Sequence, residues 1–332
     1  MTRPRVAWVS WLAACVFFAL LRIAGETSAQ QPAKLPQIGY LSLGSPAEAA
    51  NRVDALRLGL SNHGYAEGRN INLVFRWAET AERLPELAAD LVRLKVDLIF
   101  APTSTEVEAA RQATRTIPIV FSAHADPVGV GHVASLARPG GNITGFSLLQ
   151  TELVAKQLEI MSEALPHMKW IGMLVVVTAP STRPALHAAE TAAATLGMQV
   201  VTVPVRVRED LEAAFATMVR EHVDGFVAVP SPLIRSQRAV LAEFSLKHGV
   251  AGMFGPKDNV EAGGLMSYYP DPDDTTRRSA AYIDKILKGT RPADLPVEQA
   301  SKYELAINLK TAKSLGISIA PSLLARADHI FE

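Results

Sequence analysis

Two hydrophobic rhythms alternate along the chain. Short apolar runs at 37–41, 70–77, 96–101 and 117–121 have the length and composition of strands. Between them, 49–63, 83–94 and 105–115 carry apolar residues at helical spacing. Gly64 follows the first of these as a C-cap, and Pro118 suits an edge or a strand start. The rhythm then begins again. Strands are expected at 170–177, 198–205, 225–229 and 250–254, with helices at 181–196, 209–221 and 236–248. Late strands follow at 265–269 and 304–309. Strands alternating with helices build βαβ units and a parallel sheet covered on both faces. The pattern therefore predicts two successive doubly wound α/β units. The turn-rich Arg138-Pro139-Gly140-Gly141-Asn142-Ile143-Thr144-Gly145 between them suits a crossover.

The first thirty or so residues obey a different pattern. Arg3 and Arg5 precede an almost wholly apolar stretch at 6–21, and small residues follow in Gly25-Glu26-Thr27-Ser28-Ala29-Gln30. That order is that of a secretory signal, with cleavage after Ala29. An uncleaved anchor is the alternative, but the apolar stretch is shorter than the ~20 residues of a spanning helix. Leu12-Ala13-Ala14-Cys15 also matches a lipobox, which would lipidate Cys15; the apolar residues after it are unlike the polar tether of a mature lipoprotein. The expected location is the periplasm, free or tethered through Cys15.

Composition narrows the function classes. The 332 residues suffice for two domains, and 48% hydrophobic with 20% charged residues is globular. The 33 basic and 33 acidic residues cancel, so no basic surface excess supports binding to nucleic acid or to anionic lipid. Cys15 is the sole cysteine, which leaves no disulfide framework and no thiolate metal site.

Several blocks carry a resemblance. They are Ile117-Pro118-Ile119-Val120-Phe121, Asp126-Pro127-Val128-Gly129 and Leu136-Ala137-Arg138 through Gly145. Others are Gly263-Gly264-Leu265-Met266-Ser267-Tyr268, the segment from Arg277 to Gly289, and Pro292-Ala293-Asp294-Leu295-Pro296-Val297-Glu298-Gln299 running on to Ala312. In these the chain resembles bacterial ABC-transporter substrate-binding proteins of the tryptophan/tyrosine type, over residues 37–332. The resemblance implies two Rossmann-like lobes of the periplasmic-binding type I fold, joined by a three-stranded hinge. It implies a signal at 1–29, a first lobe from 30–145 plus 268–300, and a second from 146–267 plus 301–332. It also implies a monomer that captures an aromatic amino acid or related compound and docks on an ABC permease in the inner membrane, with no cofactor. Two departures stand out: Ala125-Asp126-Pro127 preceded by His124, where relatives tend to have Gly-Asp-Pro, and Thr178-Ala179-Pro180-Ser181 where they often carry asparagine and proline.

Ligands of open α/β sheets bind beyond the carboxyl ends of the strands. The first-lobe candidates are Ser42, Gly44 and Ser45, then Thr103, Ser104 and Thr105 at a helix start, then Asp126. The hydroxyls and backbone donors at 103–105 suit a carboxylate, or alternatively Thr103 or Ser104 simply caps the helix. Asp126 suits a ligand amine, or a turn beside Pro127. The second-lobe candidates are Thr178, Pro180, Ser181, Pro230, Ser231, Gly255 and Asp258. Tyr268 stacks on a ligand or lines the hinge.

Enzyme motifs are missing. No G-x-G-x-x-G follows the first strand, and neither a phosphate loop nor a G-x-S-x-G elbow occurs. No histidine pair has H-x-x-x-H spacing. Asp271, Asp273 and Asp274 can ligate calcium or start a helix before Thr275. The expectation is a binding protein without catalysis. A receptor for a sensory system and a two-lobed α/β hydrolase or glycosyltransferase are the alternatives.

Overall fold

The computed structural model describes residues 35–332, so the expected signal segment and Cys15 lie outside the described residues. The chain begins with β1 (Gln37–Leu43), α1 (Ala50–Asn62), β2 (Asn72–Ala78), α2 (Leu84–Arg93), β3 (Leu98–Phe100), α3 (Ser104–Ala113), β4 (Ile119–His124) and β5 (Ile143–Ser147). It then crosses to a second unit. This contains α4 (Gln150–Ala164), β6 (Trp170–Val176), α5 (Thr182–Thr195), β7 (Gln199–Val205), α6 (Leu211–Arg220), β8 (Gly225–Ala228), α7 (Pro232–Ser236), α8 (Arg238–His248), β9 (Ala251–Phe254), α9 (Asp258–Glu261) and β10 (Met266–Pro270). α10 (Pro272–Leu287) and β11 (Glu298–Gln299) return to the first unit. β12 (Tyr303–Asn308), α11 (Leu309–Ser314), α12 (Pro321–Leu324) and β13 (His329–Phe331) complete the second.

The first sheet has the order β11-β5-β4-β3-β1-β2 and every pairing in it is parallel. The second has the order β13-β12-β10-β9-β8-β6-β7, parallel except for the β10–β12 pair. Both sheets are covered on two faces, which is why strands such as Ile119–His124 are buried throughout. α1 and α10 cover one face of the first sheet over Tyr40, Phe100 and Phe146. α2 and α3 cover the other over Leu41, Ile99 and Phe121. Tyr40 pairs in register with Phe75 and Phe100, and its ring lies 5.3–5.5 Å from those of Phe75, Trp77 and Phe100. Among the described residues no helix is long and apolar enough to cross a membrane.

Several elements differ from the pattern-based expectation; besides the two named next, α7, α9, α11, α12, β11 and β13 had no counterpart in it. Ile143-Thr144-Gly145, read as a crossover turn, belongs to β5 beside β4. Its polar side chain is compatible with burial because the Thr144 hydroxyl donates to Leu295 O at 2.7 Å. Gly145 has φ +148°, and a Cβ there would lie 2.0 Å from Phe121 O, so only glycine fits. α4 had no counterpart in the strand–helix reading. Pro118 marks a strand start, not an edge, since β4 lies between β3 and β5.

The chain passes between the sheets three times, at 147–150, 270–272 and 299–303. A small apolar cluster of Ala123, Leu148, Leu153, Tyr269 and Ala300 joins these passages, with Tyr268 and Tyr303 packed against it. The rings of Tyr268 and Tyr303 stack at 5.5 Å. The Tyr303 hydroxyl donates to Leu148 O at 2.8 Å, and Gln157 Nε2 donates to Tyr268 O at 3.0 Å.

Candidate ligand-binding cleft

Parallel strands place their carboxyl ends, and the loops after them, along one edge of each sheet. On the first sheet that edge is bound together by its own side chains. Ser42 is buried and its hydroxyl donates to Leu43 O. Gly44 N donates to Ala78 O, and Ser45 donates to Glu48 through both its amide and its hydroxyl. Thr103 is the N-cap position of α3, yet its side chain accepts from no backbone N–H of the helix; its hydroxyl donates to the Glu106 carboxylate in the first turn. Glu106 is 0% exposed and also accepts from Leu43 N at 3.1 Å, tying the β1 and β3 loops together. Thr105 is half-buried in the first turn of α3. Asp126 turns back to accept from Gly129 N at 2.8 Å.

Ser104 heads a chain of buried groups. Its Oγ accepts from Ala125 N at 3.0 Å and lies 3.2 Å from His124 Nδ1. His124 Nε2 is 2.7 Å from His132 Nδ1, and His132 Nε2 is 2.6 Å from Glu108. A carboxylate only accepts, so His132 donates to Glu108, His124 donates to His132, and the Ser104 hydroxyl donates to His124. This tautomer sequence requires both imidazoles to be neutral. Burial and the neighbouring His132 push His124 well below the ordinary imidazole range, and burial lowers His132 as well.

In the second unit, Thr178 is exposed, Pro180 is partly buried, and Ser181 is buried just before α5. Ser231 caps α7 by accepting from Ile234 N at 3.2 Å. Gly255 packs on the Pro230 ring so closely that a Cβ would lie 2.7 Å away. Asp258 pairs with Arg235 at 2.9 Å. Tyr268 lies in the hinge, stacked on Tyr303. The acidic cluster starts a helix: Asp271 caps α10 by accepting from Asp273 N, and Asp274 pairs with Arg277.

The polar groups left unpartnered are ones the sequence reading passed over. The Tyr40 hydroxyl, Gln150 Nε2 and Gln157 Oε1 are buried and make no hydrogen bond. Burial pushes the Tyr40 hydroxyl up to about 12, with Arg52 and Arg235 opposing. Burial also raises Tyr269, again opposed by Arg52 and Arg235. Half-buried Asp273 is raised by burial and by Asp271, and the same two arginines lower it. Arg52 lies in the first unit and Arg235 in the second, so both units contribute positive charge to the surroundings of these groups. Tyr40 hides in an apolar run and α4 had no predicted element, so pattern alone gave no signal for either. Arg52, just after the β1 loop, could have been found from its position.

Two depressions lie elsewhere on the surface. One is lined by Asp271, Asp274, Arg277, Arg278 and Lys302, the other by Gly59, His63, Phe146 and Tyr282. Their cations are already paired, Arg277 with Asp274, Arg278 with Glu298 and Lys302 with Glu304.

Known proteins share this architecture. A Tyrosine-binding protein of Clostridioides difficile (strain R20291) is 26% identical over 257 residues, 77% of this chain and 74% of that protein. A conserved domain protein of Vibrio cholerae O1 biovar eltor superposes with a TM-score of 0.84 at 28% identity, covering 90% of this chain and 100% of the other. An ABC domain from Streptococcus pneumonia, in complex with L-Trp, gives a TM-score of 0.83 at 25% identity, again over 90% and 100% of the two chains. Residues 45–331 match the family described as ABC transporter substrate binding protein, and the chain belongs to that family.

Proposed function

We propose that this protein is the periplasmic receptor of an ABC importer, a monomer that captures an aromatic amino acid or a close relative between its lobes and catalyses nothing. The observation that carries this reading is the set of orphaned polar atoms, Tyr40 Oη, Gln150 Nε2 and Gln157 Oε1. Each unsatisfied buried group costs about 1–3 kcal/mol. Tyr40 belongs to the first unit, while Gln150 and Gln157 lie on α4 directly after the first passage. A solute with donors and acceptors completes them, and contacts from both lobes favour the closed form over the open one. The closed lobes then present a surface to the permease. The relatives that bind tyrosine and hold L-Trp support the ligand class.

A thermal-shift screen of the purified protein against amino acids, aromatic acids and purines tests it. A ligand at a hundredfold its Kd stabilises by about 2.7 kcal/mol. Aromatic amino acids are expected to give the largest shifts. Shifts confined to non-amino-acid solutes would overturn the ligand class.

A further inference from the structure

The first passage between the lobes contains a residue held in a conformation that its type avoids. Leu149 has φ +48° and ψ +59°, in the left-handed region. An L-residue with a bulky side chain is strained there, because its Cβ crowds the following carbonyl oxygen. Lys95 and His222 also have positive φ, but each stands just after a helix, α2 and α6, where a left-handed residue is an ordinary stop. Leu149 stands before one. It occupies the N-cap position of α4, where the backbone is normally extended. Its neighbours hold it from both sides. Leu148 N donates to His124 O at 2.8 Å, Leu148 O accepts from the Tyr303 hydroxyl at 2.8 Å, and Gln150 N donates to Ala125 O at 2.9 Å. The Leu149 amide donates to Ser147 Oγ at 3.3 Å, and its carbonyl accepts from Leu153 N at 3.0 Å. The other two passages differ. In the second, Pro270 and Pro272 flank Asp271, and their rings fix φ. In the third, none of residues 299–303 has positive φ, and Ala300 N donates to Ser147 O at 3.0 Å.

Strain of this kind persists only where the surroundings over-determine it. Here the surroundings include the bond from Tyr303, which belongs to another passage, so they change when the lobes rotate. The chain superposes across both lobes on the L-Trp complex from Streptococcus pneumonia, with a TM-score of 0.83 over 100% of that chain. The strained Leu149 therefore belongs to the lobe arrangement that this relative adopts around its ligand. We propose that Leu149 is a sprung pivot: closure of the lobes forces it into the left-handed region, and its return to an extended conformation reopens them. The assignment rests on the solute-receptor reading and adds the element that drives release. An extended residue restores the usual start of α4, so the open arrangement carries no such strain. Part of the ligand's binding free energy is taken up by Leu149 and is given back when the ligand leaves.

Substitutions at this one position separate the backbone from the side chain. Leu149→Gly removes the strain, and Leu149→Asn reduces it while keeping a side chain. Leu149→Ala removes most of the side chain but keeps Cβ, and with it the strain. Isothermal titration on the full chain uses L-tryptophan, or whichever standard amino acid gives the largest thermal shift. Relief of left-handed strain corresponds to about 5- to 30-fold in a two-state equilibrium. Leu149→Gly is expected to tighten binding by up to that factor and Leu149→Asn by less, whereas Leu149→Ala stays within about threefold of wild type. Small-angle X-ray scattering without ligand reads the same equilibrium with no solute present. The Gly variant is expected to have a smaller radius of gyration than wild type, and the Ala variant the same radius. The thermal midpoint of each variant reports its folding. A Gly variant with wild-type affinity and wild-type radius overturns the proposal, because strain common to both arrangements changes only the thermal midpoint. An Ala variant that tightens binding as much as Gly also overturns it, since the side chain would then be the cause. If no standard amino acid binds the wild type while the Gly variant is still the more compact, the solute reading falls and the pivot stands.

Discussion

His124 and His132 meet edge-on, with Nε2 of the first 2.7 Å from Nδ1 of the second. The pair lies between Ser104, at the sheet edge, and Glu108, which faces solvent. It also borders the first passage between the lobes: His124 O accepts from Leu148 N and Ala125 O from Gln150 N. The imidazole pair therefore joins the start of α3 to Glu108, next to the backbone bonds of the first passage.

Acid is expected to weaken the protein through this pair. Both histidines have folded pKa values below the unfolded value of about 6.5. Their contribution is thus fully present above about pH 6.5 and is lost as the pH falls from there through the folded values. For Glu108, burial would raise the pKa, but hydrogen bonds from Arg111, Gln112 and His132 hold it down to about 2. Its contribution is present above about pH 4.5 and fades toward 2, in the same direction. Thermal midpoints between pH 7.5 and 5 are expected to fall in the wild type and to fall less in His132→Gln. Identical slopes would exclude the pair as the source.

Gly59 marks the closest approach of α1 and α10. A Cβ there would lie 2.2 Å from Arg277 O and 2.8 Å from the Cβ of Ala280. Gly59→Ala gains up to about 1 kcal/mol in helix propensity but must push the helices apart, at about 1–3 kcal/mol or more. Net destabilisation is expected in urea unfolding. A variant more stable than wild type would show that the two helices can yield.

Tyr40→Phe deletes a buried hydroxyl that has no partner in the unliganded protein. Its stability is expected to match or exceed wild type by up to about 1 kcal/mol, whereas removing a hydrogen-bonded tyrosine hydroxyl costs about that much. Amino-acid affinity is expected to drop at the same time. Lower stability with unchanged affinity would mean that the hydroxyl serves the fold alone.

Glu304 gathers two lysines and a histidine at the hinge strand β12. Lys302, His329 and Lys257 stand 2.9, 3.0 and 3.4 Å from its carboxylate. Burial would raise its pKa, but these partners bring it down to about 2. Glu304→Gln is expected to lower the thermal midpoint at pH 7. It should also flatten the part of the acid-stability curve between about 4.5 and 2, where the wild-type group gains its proton. An unchanged curve would assign that acid response elsewhere.

The family, the two-unit plan and most strands were readable because they rest on local signals. Apolar runs of strand length between helix-period segments, with turn residues at their ends, dictate βαβ units wherever they occur. β5 escaped because Ile143-Thr144-Gly145-Phe146-Ser147 holds its two hydroxyl residues and its glycine inside the sheet. Burial there depends on Leu295 O, contributed by a segment that returns much later. The loops at the strand ends were also readable, including Ser104 and Asp258. What their side chains do was not: Ser104 bonds inward to His124, and Asp126 closes its own turn.

The order of polar and apolar residues by itself determined the two α/β units, most of their strands and helices, and the edge where loops gather. Those depend on neighbours along the chain. Only the tertiary structure decided which side chains partner one another. Thr144 and Leu295, or Glu304 and Lys257, are far apart in sequence, and they meet because the chain crosses between the sheets three times. Hydrogen bonds and Coulomb forces act through space, so no reading along the chain alone brings such partners together.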